Sequence, residues 1–429
     1  MLTIAFDTFV LENGLPVILH VDRSSPLVAV DIWYHVGSKD ESPGRTGFAH
    51  LFEHLMFMGS RNAPYPAFDA IMEAWGGHNN GTTSNDRTNY YEIGPRNLLE
   101  TFLWLEADRL ATLPDVITDE ELERQRKVVQ NERRQSYENR PYGRAELVIP
   151  ESMYPADHPY HWPTIGSHED LDAATVADVR AFFERFYRPS NATLVIAGDF
   201  DPAEARRLVE RYFGWQPRLP APDRAPPPAE PRLTQDIAIA LTDRVQLPRI
   251  RLAWHAPALF APGDADLDMA AHVLGGGKSS RLYRALVFDQ RIAQDVFAYQ
   301  GSQMLGSLFQ VGATAKPGHD LNEIAAALDA EIRRLAADGP TEAELARARN
   351  THLADFYKGL DHLQTRADLL NHYQHVLGTP DGVARDVERY EKTTIESVRA
   401  AFAKVIGARR LDLRISPEAA PPSDAPVTA

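Results

Sequence analysis

The sequence contains no cysteine among its 429 residues. A disulfide framework and a thiolate metal site are therefore both excluded. No apolar run approaches the ~18 residues that a bilayer span requires, so we expect no membrane partner. Basic residues are also scarce, with 45 Lys and Arg against 60 Asp and Glu. The net charge of −15 excludes an ordinary nucleic-acid binder, which needs basic stretches to displace counterions from phosphates.

The N-terminus also lacks the basic and apolar regions of a secretory leader, and Asp7 stands where such a leader would be apolar. This start predicts a cytoplasmic protein, or a periplasmic one if a processed leader has been replaced by Met. The length suits two domains of about 200 residues each. A composition of 44% hydrophobic and 24% charged residues is that of an ordinary globular protein.

Two halves with similar patterns flank a proline-rich segment, and Met269–Gly276 in the second half echoes Leu51–Met58 in the first. Both halves alternate strand-like and helix-like segments, which predicts two α+β domains, each a mostly antiparallel sheet with helices on one face. The predicted boundaries are a metal-binding domain over 1–216, an extended linker over 217–231, a homologous domain over 232–417 and a disordered tail over 418–429.

Local signals in the first half predict the elements on which the candidate site depends. Thr46 is placed to N-cap an apolar helix over Gly47–Met58. The polar and β-branched run Thr82–Ile93 predicts one strand. Periodic apolar residues over Leu98–Leu113 and Thr118–Ser136 predict two long amphipathic helices.

His50, Glu53 and His54 form an inverted zinc motif, His-x-x-Glu-His. On a helix, a spacing of four puts both imidazoles on one face, where they can bind one ion at ~2.0–2.1 Å. Glu53 lies at the edge of that face and can take a proton from metal-bound water without binding the ion. A carboxylate on another helix is the natural third ligand, and Glu132 is our candidate. A buried helix with satisfied histidines is the alternative, but these polar groups are costly to bury without a metal.

With these residues, the sequence resembles the inverzincin peptidases, the family that includes insulysin, pitrilysin and the mitochondrial processing peptidase. The resemblance covers about residues 5–415 and matches the short two-domain subunits that carry the metal motif. It implies that His50, His54 and Glu132 bind Zn²⁺ and that Glu53 is the general base. It also implies that the two homologous domains form half of a clam-shell chamber.

The resemblance also implies a peptide-binding site and a reaction. Asn80 matches the asparagine that helps to hold the substrate backbone, and the strand that follows would be the edge to which an extended peptide adds. Some members carry a further glutamate seven residues before the third ligand; here Gln125 can still hydrogen-bond the site but carries no charge. We therefore expect a zinc endopeptidase or oligopeptidase subunit.

Family peptidases assemble four such domains, so the resemblance implies that a chain of two must pair. These peptidases also use an Arg and a Tyr, seven residues apart in the second half, to grip the substrate and stabilise the oxyanion. The matching positions here are Val287 and Gln294, while Arg291 and Tyr283 have the wrong spacing. We expect a heterodimer with a metal-free paralogue that supplies Arg and Tyr, with a homodimer that uses other donors as the alternative.

Two other functions stay open. Some members of the family are non-catalytic scaffolds or peptide-binding subunits, although a scaffold has no need of Glu53. A dedicated peptide-maturation protease would carry the same ligands and the same base, so the sequence does not separate it from a general oligopeptidase.

Other histidines and glycines indicate structural roles. The irregular, proline-broken spacing of His158, His161 and His168 favours a structural loop over a second metal site. Gly275–Ser279 ends like a phosphate-binding loop, but His272 stands where such a loop needs its first glycine.

The second half keeps one histidine of the metal motif but not its other ligands. The positions that match the first half are Asp268, Ala271, His272 and Asp355. This set predicts a metal-free domain that shapes the chamber.

Overall fold

The computed structural model describes residues 2–418. Within this range the strands are β1 (Asp7–Val10), β2 (Pro16–Val21), β3 (Leu27–Tyr34), β4 (His78–Thr83), β5 (Thr88–Pro95), β6 (Ala192–Gly198), β7 (Ile237–Asp243), β8 (Arg249–Ala256), β9 (Ala293–Gly301), β10 (Ser307–Ala315) and β11 (Leu411–Pro417). Apart from Glu418, the predicted tail over 418–429 lies outside the described residues.

The α-helices of the same range are α1 (Phe48–Leu55), α2 (Ala67–Trp75), α3 (Leu99–Val116), α4 (Asp119–Arg133), α5 (Ala145–Met153), α6 (His168–Ala173), α7 (Val176–Phe186), α8 (Pro202–Phe213), α9 (Asp264–Gly275), α10 (Leu321–Asp338), α11 (Glu342–Gly359), α12 (Leu363–Leu377), α13 (Val383–Glu391) and α14 (Ile395–Ile406). Between residues 2 and 418 no helix is both long and apolar enough to cross a membrane.

Each of two compact units contains one sheet. In unit 1 the strand order is β1-β2-β6-β3-β5-β4, and in unit 2 it is β7-β11-β8-β10-β9. Strands β2 and β6 are parallel, as are β7 and β11, and the other neighbours are antiparallel. The last five strands of the first sheet therefore recur in the same arrangement in the second. The prediction of two homologous α+β domains with mostly antiparallel sheets is confirmed.

The units are not the contiguous halves that the sequence predicted. Unit 1 contains residues 2–133, 157–227 and 350–391, and unit 2 contains residues 134–156, 228–349 and 392–418. Each half of the chain thus contributes a segment to the compact unit built around the other half's sheet.

In unit 1 the exchanged segment is α12, which packs on β3 and β6. The Trp33 ring of β3 meets His375 of α12 edge to face at a centroid distance of 5.9 Å. Neighbouring residues of a strand point to opposite faces, and the Tyr34 ring packs on Tyr187, at the end of α7, with a centroid distance of 4.4 Å. Helices therefore cover both faces of this sheet, and the prediction of helices on one face is wrong.

In unit 2 the exchanged segment is α5, which belongs to the first half of the chain. Arg251 of β8 donates to Glu146 of α5 at 2.5 Å. His255 of the same strand hydrogen-bonds the Met153 carbonyl at 2.9 Å. The two sheets are thus completed reciprocally, each by a helix from the other half of the sequence.

A hairpin replaces the single strand predicted over Thr82–Ile93. Strands β4 and β5 pair up to Thr83 opposite Thr88. Between them the Ser84 hydroxyl accepts the backbone N–H groups of Asp86 and Arg87 at 3.1 and 3.2 Å. This local side-chain bond is typical of a turn and explains where the strand is interrupted.

The proline-rich segment lies along unit 1 as far as Pro227. Arginine side chains hold it there. Arg188 donates to the Pro220 carbonyl at 2.9 Å, and Arg224 of the segment donates to the Asp40 carboxylate at 2.8 Å. Part of the predicted linker is therefore bonded to the first unit.

The reciprocal exchange predicts that residues 1–231 alone do not form a stable domain. Without α12, the β3 face that carries Trp33 loses its apolar cover and its partners. We expect this fragment to bind a hydrophobic dye and to unfold in urea without the full chain's cooperative transition. A synthetic peptide of residues 350–391 should restore the transition, whereas a scrambled peptide should not. A fragment as cooperative and as stable as the full chain would contradict the role of α12.

Candidate metal centre

Helix α1 carries the metal motif of unit 1 and has a strongly apolar face. Phe48, Leu51, Phe52 and Leu55 are all buried. The Phe52 ring packs at 4.3 Å on Tyr187 and at 5.5 Å on Phe183 of α7. These contacts fix the rotation of α1 and leave His50, Glu53 and His54 on its half-buried side.

The start of α1 differs from the prediction. Gly47, not Thr46, is the N-cap residue, with a positive φ of 83° that favours glycine. A side chain there would also collide with Gly166, whose Cα would lie 2.9 Å from the added Cβ. Thr46 instead donates its hydroxyl to Asp170 at 2.6 Å. Glu41 accepts the N–H groups of the N-cap residue Gly47 and of Ala49 in the first turn at 2.9 and 2.7 Å, so its carboxylate caps the start of the helix.

Three side chains from two helices converge. One ligand atom each of His50, His54 and Glu132 lies within 4.8 Å of the other two. Oε2 of Glu132, in the last turn of α4, lies 3.7 Å from Nε2 of His50 and 3.4 Å from Nε2 of His54. No other group of three potential ligands this close occurs within residues 2–418.

The charges of this cluster suit a cation. Burial, with a smaller contribution from the neighbouring His54, lowers the pKa of His50 to about 4. The His50 imidazole is therefore neutral at pH 7, which is the form that binds a metal. The hydrogen bond from His54 lowers the pKa of Glu132, so this carboxylate is ionised. Nδ1 of His50 is buried and has no hydrogen-bond partner in the structure.

Glu53 lies beside the cluster, between α1 and β4. Burial raises the pKa of its carboxyl group, an effect that a hydrogen bond from Thr83 partly offsets. The Thr83 hydroxyl donates to Oε2 of Glu53 at 2.5 Å. A raised pKa suits a group that must accept a proton and later release it.

The other residues of the predicted site lie nearby but make different contacts. Gln125 is buried about two helical turns before Glu132 on α4, and its amide nitrogen contacts the Met58 sulfur at 2.8 Å. Asn80 is exposed on β4, and its side-chain oxygen accepts the N–H of Gly81 at 2.9 Å. Within the described chain β4 pairs with β5 alone, so its outer edge faces away from the sheet.

The remaining histidines are placed by their local structure. His158 is buried, and its Nδ1 accepts the backbone N–H of Tyr160 at 3.0 Å. In unit 2, α9 carries His272. Gly275, at the end of α9, packs against β9, since an added Cβ would lie 2.3 Å from the Ala298 nitrogen. The glycines after His272 thus allow close packing of this helix on its sheet.

Sequence reasoning missed two residues of the site, Glu41 and Thr83. Glu41 lies in the loop before α1, and no local pattern links its carboxylate to the N–H groups that it accepts. Thr83 is 30 positions from Glu53. A turn signal at Ser84-Asn85-Asp86 could have predicted where β4 ends. It could not have predicted that β4 lies close to α1.

Two family models match this chain. Residues 16–157 match the model described as Insulinase (Peptidase family M16), and residues 173–351 match the one described as Peptidase M16 inactive domain. The first range contains the whole metal motif and Glu132. The second spans the proline-rich segment and most of unit 2.

Known relatives extend over nearly the whole chain. The zinc protease PqqE of Helicobacter pylori is 29% identical over 373 residues, which cover 86% of this chain and 83% of that protein. A crystal structure of a protease from Helicobacter pylori has a TM-score of 0.90 at 26% identity and covers 97% of this chain and 100% of that one. An M16 inactive domain from Pseudomonas fluorescens shares the fold, with a TM-score of 0.85 at 18% identity over 97% of this chain and 98% of its own. The chain belongs to peptidase family M16, the inverzincin family, as a two-domain subunit of the bacterial type.

Proposed function

We propose that this chain is the metal-bearing subunit of a zinc-dependent endopeptidase that cleaves extended peptides. The observation that carries the proposal is the convergence of His50, His54 and Glu132 within 4.8 Å, with Glu53 beside them. The relatives that are named zinc proteases support the metal and the class of reaction.

The donor set fits zinc. Two imidazole nitrogens and one carboxylate oxygen leave a fourth tetrahedral position open, which is the pattern of a catalytic rather than a structural zinc site. When bound there, zinc would polarise the scissile carbonyl and lower the pKa of the attacking water towards ~7. His50, His54 and Glu132 would hold the ion.

Glu53 performs the proton transfers in this proposal. Its carboxylate takes a proton from the attacking water and then gives a proton to the leaving amine. The substrate adds as a strand to the open edge of β4, where backbone groups bind the peptide without regard to its sequence. Asn80, exposed on this strand, helps to hold the substrate backbone.

A non-catalytic scaffold is the main alternative, favoured by the inactive-domain description of the second matching model. The first half argues against it, because a scaffold needs neither a convergent ligand set nor a carboxylate at Glu53. A dedicated maturation protease would share every residue of the site and would differ in the range of peptides cleaved.

The ligand assignment predicts one zinc per chain. His50→Ala removes a donor, and Glu132→Gln removes the charged oxygen, so both variants should lose stoichiometric zinc in elemental analysis. His272→Ala, in the matching helix of unit 2, is the control and should keep it. Full zinc content in either ligand variant would show that the altered residue does not bind the metal.

The assignment of the base predicts a separation of metal binding from activity. Glu53→Gln keeps the shape of the side chain but cannot accept a proton, so zinc content should be unchanged. Cleavage of a quenched-fluorescent peptide library should fall about 10²–10⁴-fold. If the zinc-loaded variant cleaved the library at the wild-type rate, Glu53 would not be the base.

We also propose that the active enzyme is a heterodimer. Val287 and Gln294 occupy the positions where the family resemblance places the substrate-gripping Arg and Tyr. Val287 lies in a π-helical segment, Tyr283–Asp289, and Gln294 is exposed near the start of β9. Neither side chain can replace an Arg or a Tyr, so a homodimer would have two metal centres and no such pair.

Reconstitution tests the pairing. The purified chain should cleave the peptide library poorly alone and strongly when mixed with a paralogue that carries Arg and Tyr but no metal motif. The paralogue alone is the control and should be inactive. Gel filtration should show a one-to-one complex. Strong cleavage by this chain alone would favour the homodimer that uses other donors.

A further inference from the structure

Strand β4 forms one wall around Glu53. Thr83 donates its hydroxyl to Oε2 of Glu53 at 2.5 Å. Gly81, two residues earlier and on the same face of the strand, lies so close that an added Cβ would be 3.2 Å from Cγ of Glu53. Gly81 thus leaves space for the carboxylate, and Thr83 supplies it with a hydrogen-bond donor.

Thr83 is itself held in a fixed position. It pairs with Thr88 of β5, whose hydroxyl donates to the Val36 carbonyl at 2.9 Å in the buried part of unit 1. On the other face of β4, Arg87 donates to the Thr82 hydroxyl, and it also donates to the Thr82 carbonyl at 2.8 Å. The end of the hairpin is therefore tied on both faces, and the Thr83 hydroxyl is a preorganised donor.

A glutamate side chain has three rotatable bonds, and its terminal torsion is broad. A base acts efficiently only when its oxygen is held within hydrogen-bond reach of the proton that it accepts. A donor on Oε2 restricts the terminal torsion and leaves Oε1 for the attacking water.

We propose that Thr83 is a positioning residue that orients the Glu53 carboxylate for proton transfer. The proposal rests on the proposed peptidase function. It adds that the strand whose edge receives the substrate in that proposal also holds the base.

Three variants test this role on the zinc-loaded protein, mixed with its paralogue where the chain alone is inactive. Thr83→Val keeps the shape but removes the donor, and it should lower kcat on the peptide library about 10- to 100-fold with KM little changed. Thr83→Ser restores the hydroxyl and should recover most of kcat. Thr314→Val is the matched control, since it removes a strand hydroxyl that donates to Asp295 at 3.0 Å in unit 2. It should leave kcat unchanged.

A second readout uses the metal-free protein and needs no activity. Side chains in contact have non-additive effects on stability, which a double-mutant cycle measures. Thr83→Val should shift the urea midpoint in the wild-type background, and this shift should largely disappear when Glu53→Met has already removed the acceptor. Additive shifts would overturn the contact and with it the proposal.

The outcomes separate the two hypotheses. A fully active Glu53→Gln variant would overturn the peptidase mechanism, whatever Thr83 does. An inactive Glu53→Gln variant together with a fully active Thr83→Val variant would overturn only the positioning role. If no preparation cleaves any peptide, the double-mutant cycle decides, and additive midpoints overturn the proposal.

Discussion

The centre depends on holding one short helix at a fixed rotation. Helix α1 has eight residues, and isolated helices of that length are marginal in water. Aromatic packing through Phe52 fixes one side, and the Glu41 carboxylate caps the start of the helix by accepting the N–H groups of Gly47 and Ala49. Only when the helix is fixed in this way do His50 and His54 converge with the Glu132 carboxylate of α4 on one position.

Within residues 2–418 such a centre occurs once, although the two units share a repeated fold. The two sheets share a strand order, and α9 is followed by its sheet's edge strand as α1 is by β4. The duplicate kept His272 but holds Asp268 and Ala271 where the first half has His50 and Glu53. The exchange of α5 and α12 then puts a helix from the other half of the sequence on each sheet, so we expect the fold of each half to depend on the other.

Sequence reasoning succeeded where the information is local. The four-residue spacing of His50 and His54 on a helix, the apolar periodicity of α4 and the repeated pattern of the halves all follow from short windows. The N-cap prediction failed at Thr46, because the distant Asp170 binds its hydroxyl. The prediction of a single strand failed after Thr83, because the Ser84 side chain stabilises a turn. The placement of α12 on β3 could not be predicted, because it depends on contacts between residues more than 300 positions apart.

The edge strands β4 and β9 of the two sheets differ in composition, and the difference fits the proposed pairing of substrate with β4. Strand β4 is almost wholly polar, His-Asn-Asn-Gly-Thr-Thr, whereas its counterpart β9 includes Val296, Phe297 and Tyr299. A long apolar edge invites irreversible pairing between chains, while a short polar edge binds a strand mainly through its backbone. Such binding tolerates different peptide sequences and is reversible, as the proposed peptidase function requires. The same six residues include the Thr83 hydroxyl that contacts Glu53, so in the proposed mechanism one short strand both pairs with the substrate and holds the base.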